Sequence, residues 1–138
     1  MAPIKPSGVF ALTVACAAAV FTPAVPVSAA SASAPAEAIV LERTGGFAGK
    51  RDTFVVDRST ADGRGPLRVA GSTEFKSLRA SYRPRNSCCD RYSYRVTVSY
   101  RHGRVKTVTA VQGASAPRIL WRTIDEVQHV GRQNPDAH

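Results

Sequence analysis

Tyr92-Ser93-Tyr94-Arg95-Val96-Thr97-Val98-Ser99-Tyr100 is the stretch that decides the fold. Tyr92, Tyr94, Val96, Val98 and Tyr100 fall on one side of an extended chain, and Ser93, Arg95, Thr97 and Ser99 on the other. Strict alternation of this kind predicts a strand with one dry face and one wet face. Arg101-His102-Gly103-Arg104 then supplies a turn, and the Val and Thr run of Val105 to Val111 predicts a returning strand.

On the C-terminal side, Leu120, Ile124 and Val127 recur at helical spacing within a predicted helix from Ala116 to Val130. Ser115 reads as its N-cap, Pro117 as a first-turn residue and Gly131 as its stop, with Gln133 to His138 a frayed polar tail. On the N-terminal side, Arg83 to Arg91 reads as a basic loop. Ser72 to Ser81 reads as a helix capped by Ser72, with Glu74 in its first turn and Phe75, Leu78 and Tyr82 on its buried side. Leu67 to Ala70 reads as a short extended piece, and Ser59 to Pro66 as a connector. Further back, Glu37 to Arg43 and Asp52 to Arg58 are apolar, β-branched runs flanking a glycine-rich loop, Thr44 to Lys50, which predicts a hairpin. The order β-β-α-β-β-α implies an α+β domain: two hairpins in an antiparallel sheet with helices on one face.

Residues Met1 to Ala36 carry one charged side chain, Lys5, whereas all ten acidic residues lie from Glu37 onward. Val9 to Phe21 is apolar for 13 residues. As a helix that run reaches roughly 20 Å, short of a bilayer core of about 30 Å. Small-residue patterns follow between Ala29 and Ala34. The reading is a signal peptide over residues 1–34, then one small domain over residues 35–138, secreted and with no membrane segment after processing. Thr13 stands where a lipoprotein signal has an aliphatic residue, so Cys16 is an ordinary signal-peptide residue. Removing Lys5 leaves 18 basic and 10 acidic residues, a net charge of +8.

Cys88 and Cys89 are adjacent. Their Cα atoms are held about 3.8 Å apart, below the usual disulfide range of roughly 4.4–6.8 Å. A strained vicinal bridge, two partly buried thiols and pairing between chains all remain open. No Cys or His spacing matches a metal site. His102, His129 and His138 belong to no catalytic motif, and there is no nucleophile elbow, phosphate loop or dinucleotide fingerprint. The expectation is a monomeric binding protein without catalytic residues, metal or cofactor. Arg83, Arg85, Arg91, Arg101, Arg104 and Lys106 are expected to gather at one end of the second hairpin, where they would attract anionic cell-surface polymers or an acidic protein. Tyr92, Tyr94 and Tyr100 could stack bases, but Val96 and Val98 share their face and mark it as core; no nucleic-acid partner is expected.

Thr44-Gly45-Gly46-Phe47-Ala48-Gly49, followed by Asp52-Thr53-Phe54-Val55-Val56-Asp57, resembles the emfourin family, protein inhibitors of protealysin and related thermolysin-like metalloproteases. Tyr92 to Val98 is similar to that family's third strand and Pro117 to Val130 to its C-terminal helix, in matching order over most of residues 39–130. The short middle helix and the Cys88-Cys89 pair depart from the family pattern. The resemblance implies a secreted metalloprotease as partner, blocked without a covalent bond. Gly45, Gly46, Phe47, Ala48 and Gly49 are the candidate contact. Phe47 either enters the apolar pocket beside the enzyme's zinc or folds back to plug the end of this domain's core.

Overall fold

The computed structural model describes residues 34–86 and 88–133. The signal-peptide segment, apart from Ala34, and the end of the tail, including His138, lie outside the described residues.

Strand β1 (Ala36–Gly45) pairs antiparallel with β2 (Lys50–Asp57), closing the first hairpin. The second hairpin joins β4 (Ser93–Tyr100) to β5 (Val105–Val111) through one tight turn, with His102 and Gly103 both at positive φ. Antiparallel pairing of β1 with β4 fuses the two hairpins, with a register shift between Ala36 and Ala38. Two-residue strands extend the edges. β3 (Ser81–Tyr82) runs parallel to β5, and β6 (Arg132–Gln133) pairs with Phe54 and Val55. Among the described residues the six strands form one sheet in the order β3-β5-β4-β1-β2-β6.

The period-two pattern of β4 is reproduced in its burial. Val96, Val98 and Tyr100 are at most 6% exposed, while Ser93 and Arg95 are exposed. Ile39 and Leu41 of β1, Phe54 and Val56 of β2 and Val108 and Ala110 of β5 lie on the same side. Helices α1 (Arg64–Gly71) and α3 (Arg118–Val130) cover that side with Leu67, Ala70, Leu120, Ile124 and Val127. Each fully buried Leu, Ile, Val or Phe contributes about 1.5–3 kcal/mol by leaving water. The fold is α+β with its helices on one face of the sheet.

Several local expectations need correction. Leu67 to Ala70 is not extended but lies inside α1, which begins where a connector was expected. Pro66 is tolerated there because a first-turn residue has no intrahelical partner for an N–H. Two glycines, a proline and Val69 in eight residues give poor helix propensity, and burial of Leu67 and Ala70 overrides it.

The helix expected from Ser72 to Ser81 is one turn, α2 (Thr73–Lys76). Ser72 does cap it, its Oγ accepting from the Phe75 N–H at 3.2 Å while donating to the Val69 carbonyl at 2.7 Å, so one hydroxyl ends α1 and starts α2. In a longer helix the carbonyls of Lys76 and Leu78 would accept from residues 80 and 82. The Lys106 ammonium takes both instead, at 2.8 and 2.7 Å, and the Ala80 carbonyl accepts from the Thr109 N–H of β5 at 2.9 Å. Phe75, Leu78 and Tyr82 are all buried, as their spacing suggested, but from three different pieces of backbone.

Helix α3 starts two residues later than expected. Pro117 rather than Ser115 is its N-cap, with no side-chain capping bond. Gly131 does stop it, at an ordinary φ of −67°. It is a glycine for want of space: a Cβ there would collide with the Val127 carbonyl and lie 3.0 Å from Phe54 Cβ. Gln133, expected in a frayed tail, pairs in the sheet.

Candidate functional site: the tip of the first hairpin

The first hairpin turns through Gly46 to Gly49, and the Gly49 N–H donates to the Gly46 carbonyl at 3.0 Å. Gly45, Gly46 and Gly49 have φ of 123°, 75° and 58°, values that side-chain-bearing residues seldom adopt. Gly45 also lacks room for a side chain, since a Cβ would stand 2.5 Å from the Arg91 carbonyl oxygen. At Gly46 a Cβ would stand 3.0 Å from the Tyr92 hydroxyl and 3.2 Å from its ring. Glycine therefore lets the base of the hairpin tip sit directly on the backbone of Arg91 and the ring of Tyr92.

Phe47, at the summit, is 100% exposed. It does not fold back to plug the core. Leaving a phenylalanine in water forgoes about 1.5–3 kcal/mol of burial.

Beneath the tip stands Arg43, the last core-side residue of β1 before Gly45. Its guanidinium donates to Asp52 Oδ2 at 2.6 and 3.1 Å and to Gln128 Oε1 at 2.9 Å. It also lies 5.1 Å from the Tyr92 ring centre and 5.6 Å from that of Phe54. One cation thus ties both strands of the hairpin to α3 and to the lead-in of β4. The aromatic line continues from Tyr92 to Tyr94 at 6.5 Å and on to Trp121, edge-on at 6.0 Å. Burial pushes the Tyr94 phenol above its ordinary value, against the opposing pull of Arg43.

Arg43 and Trp121 were not legible as part of this site. Arg43 reads as the polar end of a strand, and Trp121 lies beside rather than within the Leu120-Ile124-Val127 stripe. The tyrosines share the helix-covered face with Val96 and Val98, and Tyr100 buries its ring and donates to the Ala70 carbonyl at 2.8 Å.

The expected basic cluster is divided. Arg101 and Arg104 flank the β4–β5 turn, whereas Arg91 precedes β4 and Arg83 and Arg85 follow β3. The two groups are separated by the length of β4, roughly 25 Å. Register explains this: β3 pairs with the C-terminal end of β5, away from the turn. Arg101 lies 3.7 Å from Glu37, which Arg58 also meets at 3.2 Å. Arg91 donates to the Gln112 carbonyl at 3.0 Å, and Lys106 is committed to the carbonyls that end α2.

Cys88 and Cys89 are free, exposed thiols, not the partly buried pair considered above. The Cys89 thiol donates to the Cys88 sulfur at 2.7 Å. That bond, helped by the nearby Arg91 charge, lowers the Cys88 thiol below its ordinary value, and it raises Cys89. Among the described residues no three His, Cys, Asp or Glu side chains are grouped to hold a metal ion. His102 lies in the exposed turn and His129 near the end of α3. Among the described residues no helix is long and apolar enough to cross a membrane.

No family model, curated protein or solved structure matches this chain, so the resemblance to the emfourins rests on the residues quoted for it.

Proposed function

We propose that this protein is a secreted inhibitor that docks on a thermolysin-like metalloprotease through the Gly45–Gly49 tip and occludes its cleft without forming a covalent bond. The observation that carries this reading is Phe47, wholly exposed on a turn whose first glycines, Gly45 and Gly46, pack against Arg91 and Tyr92. An exposed aromatic on a pre-set backbone makes a good binding anchor: it gains apolar contact on docking, and little backbone entropy remains to be lost. An apolar pocket beside a catalytic zinc is a complementary receptor. The emfourin-like sequence around the tip supplies the choice of enzyme class.

The test is a titration of the purified protein against a panel of secreted thermolysin-like metalloproteases, following hydrolysis of a quenched peptide. Stoichiometric loss of activity of at least one enzyme, with the inhibitor recovered uncleaved, is expected. Full activity of every enzyme at excess inhibitor contradicts the reading.

A further inference from the structure

The sheet face turned away from the helices carries a second feature, distinct from the tip. Register places Thr53, Glu42, Arg95 and Thr109 in one row across β2, β1, β4 and β5. Arg51, Thr44, Ser93 and Val111 form the next row. A cavity of about 330 Å³ opens over these rows and reaches Ser81 and Arg83 at the β3 edge.

Three exposed arginines line it: Arg51, Arg83 and Arg95. The carboxylate in its lining is Glu42, 3.8 Å from Arg95. No carboxylate of the described residues lies within ion-pair distance of Arg51 or Arg83. Arg51 and Arg95 stand two strands and one row apart, roughly 12 Å, and Arg83 follows β3, two strands beyond Arg95. The trough therefore carries three cations spread across the strands, over a floor that includes the Thr44 and Ser93 hydroxyls; that of Thr109 donates to the Ala80 carbonyl at 3.2 Å.

We propose that this trough binds an acidic polysaccharide, a sugar chain bearing sulfate or carboxylate groups. The charge excess calls for a polyanion. The floor separates a sugar from an acidic peptide. The Thr44 and Ser93 hydroxyls and the Glu42 carboxylate pair with the hydroxyls of a sugar, donors that a row of peptide carboxylates lacks. A bound peptide strand gains most from main-chain hydrogen bonds to a free sheet edge. The trough crosses the face of β1 and β4, whose backbones are already paired on both sides.

The probe is a heparin hexasaccharide, titrated calorimetrically into the full-length protein at 0.15 M salt, with hexaglutamate in parallel. R51Q/R83Q/R95Q should bind the sugar at least tenfold more weakly. R64Q/R68Q/R118Q removes the same charge from exposed arginines elsewhere and should change affinity less than threefold. T44V/S93A leaves the charge intact and should lose at least threefold. The proposal is overturned by absence of sugar binding, by equal loss in the two arginine variants, by unchanged affinity in T44V/S93A, or by hexaglutamate binding as tightly as the sugar. Sugar binding is read by calorimetry and the proposed inhibition by the protease titration, so each can fail without the other.

Discussion

The Tyr100 ring is 6% exposed, and its hydroxyl, bonded to the Ala70 carbonyl, fastens β4 to the end of α1. Burial raises this phenol from an ordinary 10 to about 12. The folded state therefore favours the protonated phenol. Its contribution is intact below pH 10 and is lost as the pH rises through 12. Tyr100→Phe keeps the ring but leaves the Ala70 carbonyl without its partner, at a cost of about 1–3 kcal/mol at neutral pH. The variant should also lose part of the fall in stability between pH 10 and 12 that denaturant melts of the parent protein should show. An unchanged alkaline limb would contradict this role. Tyr100 was legible in sequence as a core residue because it continues the alternation of β4. Its hydroxyl partner was not, since Ala70 lies 30 residues away in a helix that the sequence concealed. Phe47 was half legible: three glycines marked a tip, but exposure depends on where Arg91 and Tyr92 sit beneath it.

At the scale of the element, the first hairpin depends on close backbone approach. Gly45→Ala places a methyl group against the Arg91 carbonyl at a φ that alanine rarely adopts. A loss of at least about 2 kcal/mol is expected, lowering the melting temperature by roughly 8–16 °C. Gly49 also has positive φ but nothing within 4 Å of an added Cβ, so Gly49→Ala should cost only about 1–2 kcal/mol. Equal melting temperatures for the two variants would contradict the seating of the tip on Arg91. The four long strands and α3 were legible because each repeats its own period. Helix α1 was not, because its stability comes from contact with β1 and α3 rather than from its glycines and proline. The early end of α2 was equally hidden: the Lys106 ammonium that takes the Lys76 and Leu78 carbonyls comes from β5, 30 and 28 residues further along the chain.

For the whole molecule, a net charge of +8 in the domain does not by itself make a patch. Sheet register sends Arg101 and Arg104 to one end and Arg83, Arg85 and Arg91 to the other, while bringing Arg51, Arg83 and Arg95, far apart in sequence, over one trough. Such groupings exist only after the strands are ordered as β3-β5-β4-β1-β2-β6, and no local pattern announces them. Phe47 stands at the end of the first hairpin and Arg83 and Arg95 on the sheet face, so the proposed inhibition and the proposed anion binding should be separable by substitution at these residues.

Phe47 is the proposed anchor on a metalloprotease. The most direct measurement compares the parent protein with Phe47→Ala as inhibitors of a thermolysin-like metalloprotease, with melting curves recorded for both. Because Phe47 is wholly exposed, truncation should change stability by less than about 0.5 kcal/mol. As the anchoring aromatic its loss should cost at least about 2 kcal/mol of binding, a roughly 30-fold weaker inhibition constant. Inhibition of equal strength by the two proteins would rule out Phe47 as the anchor.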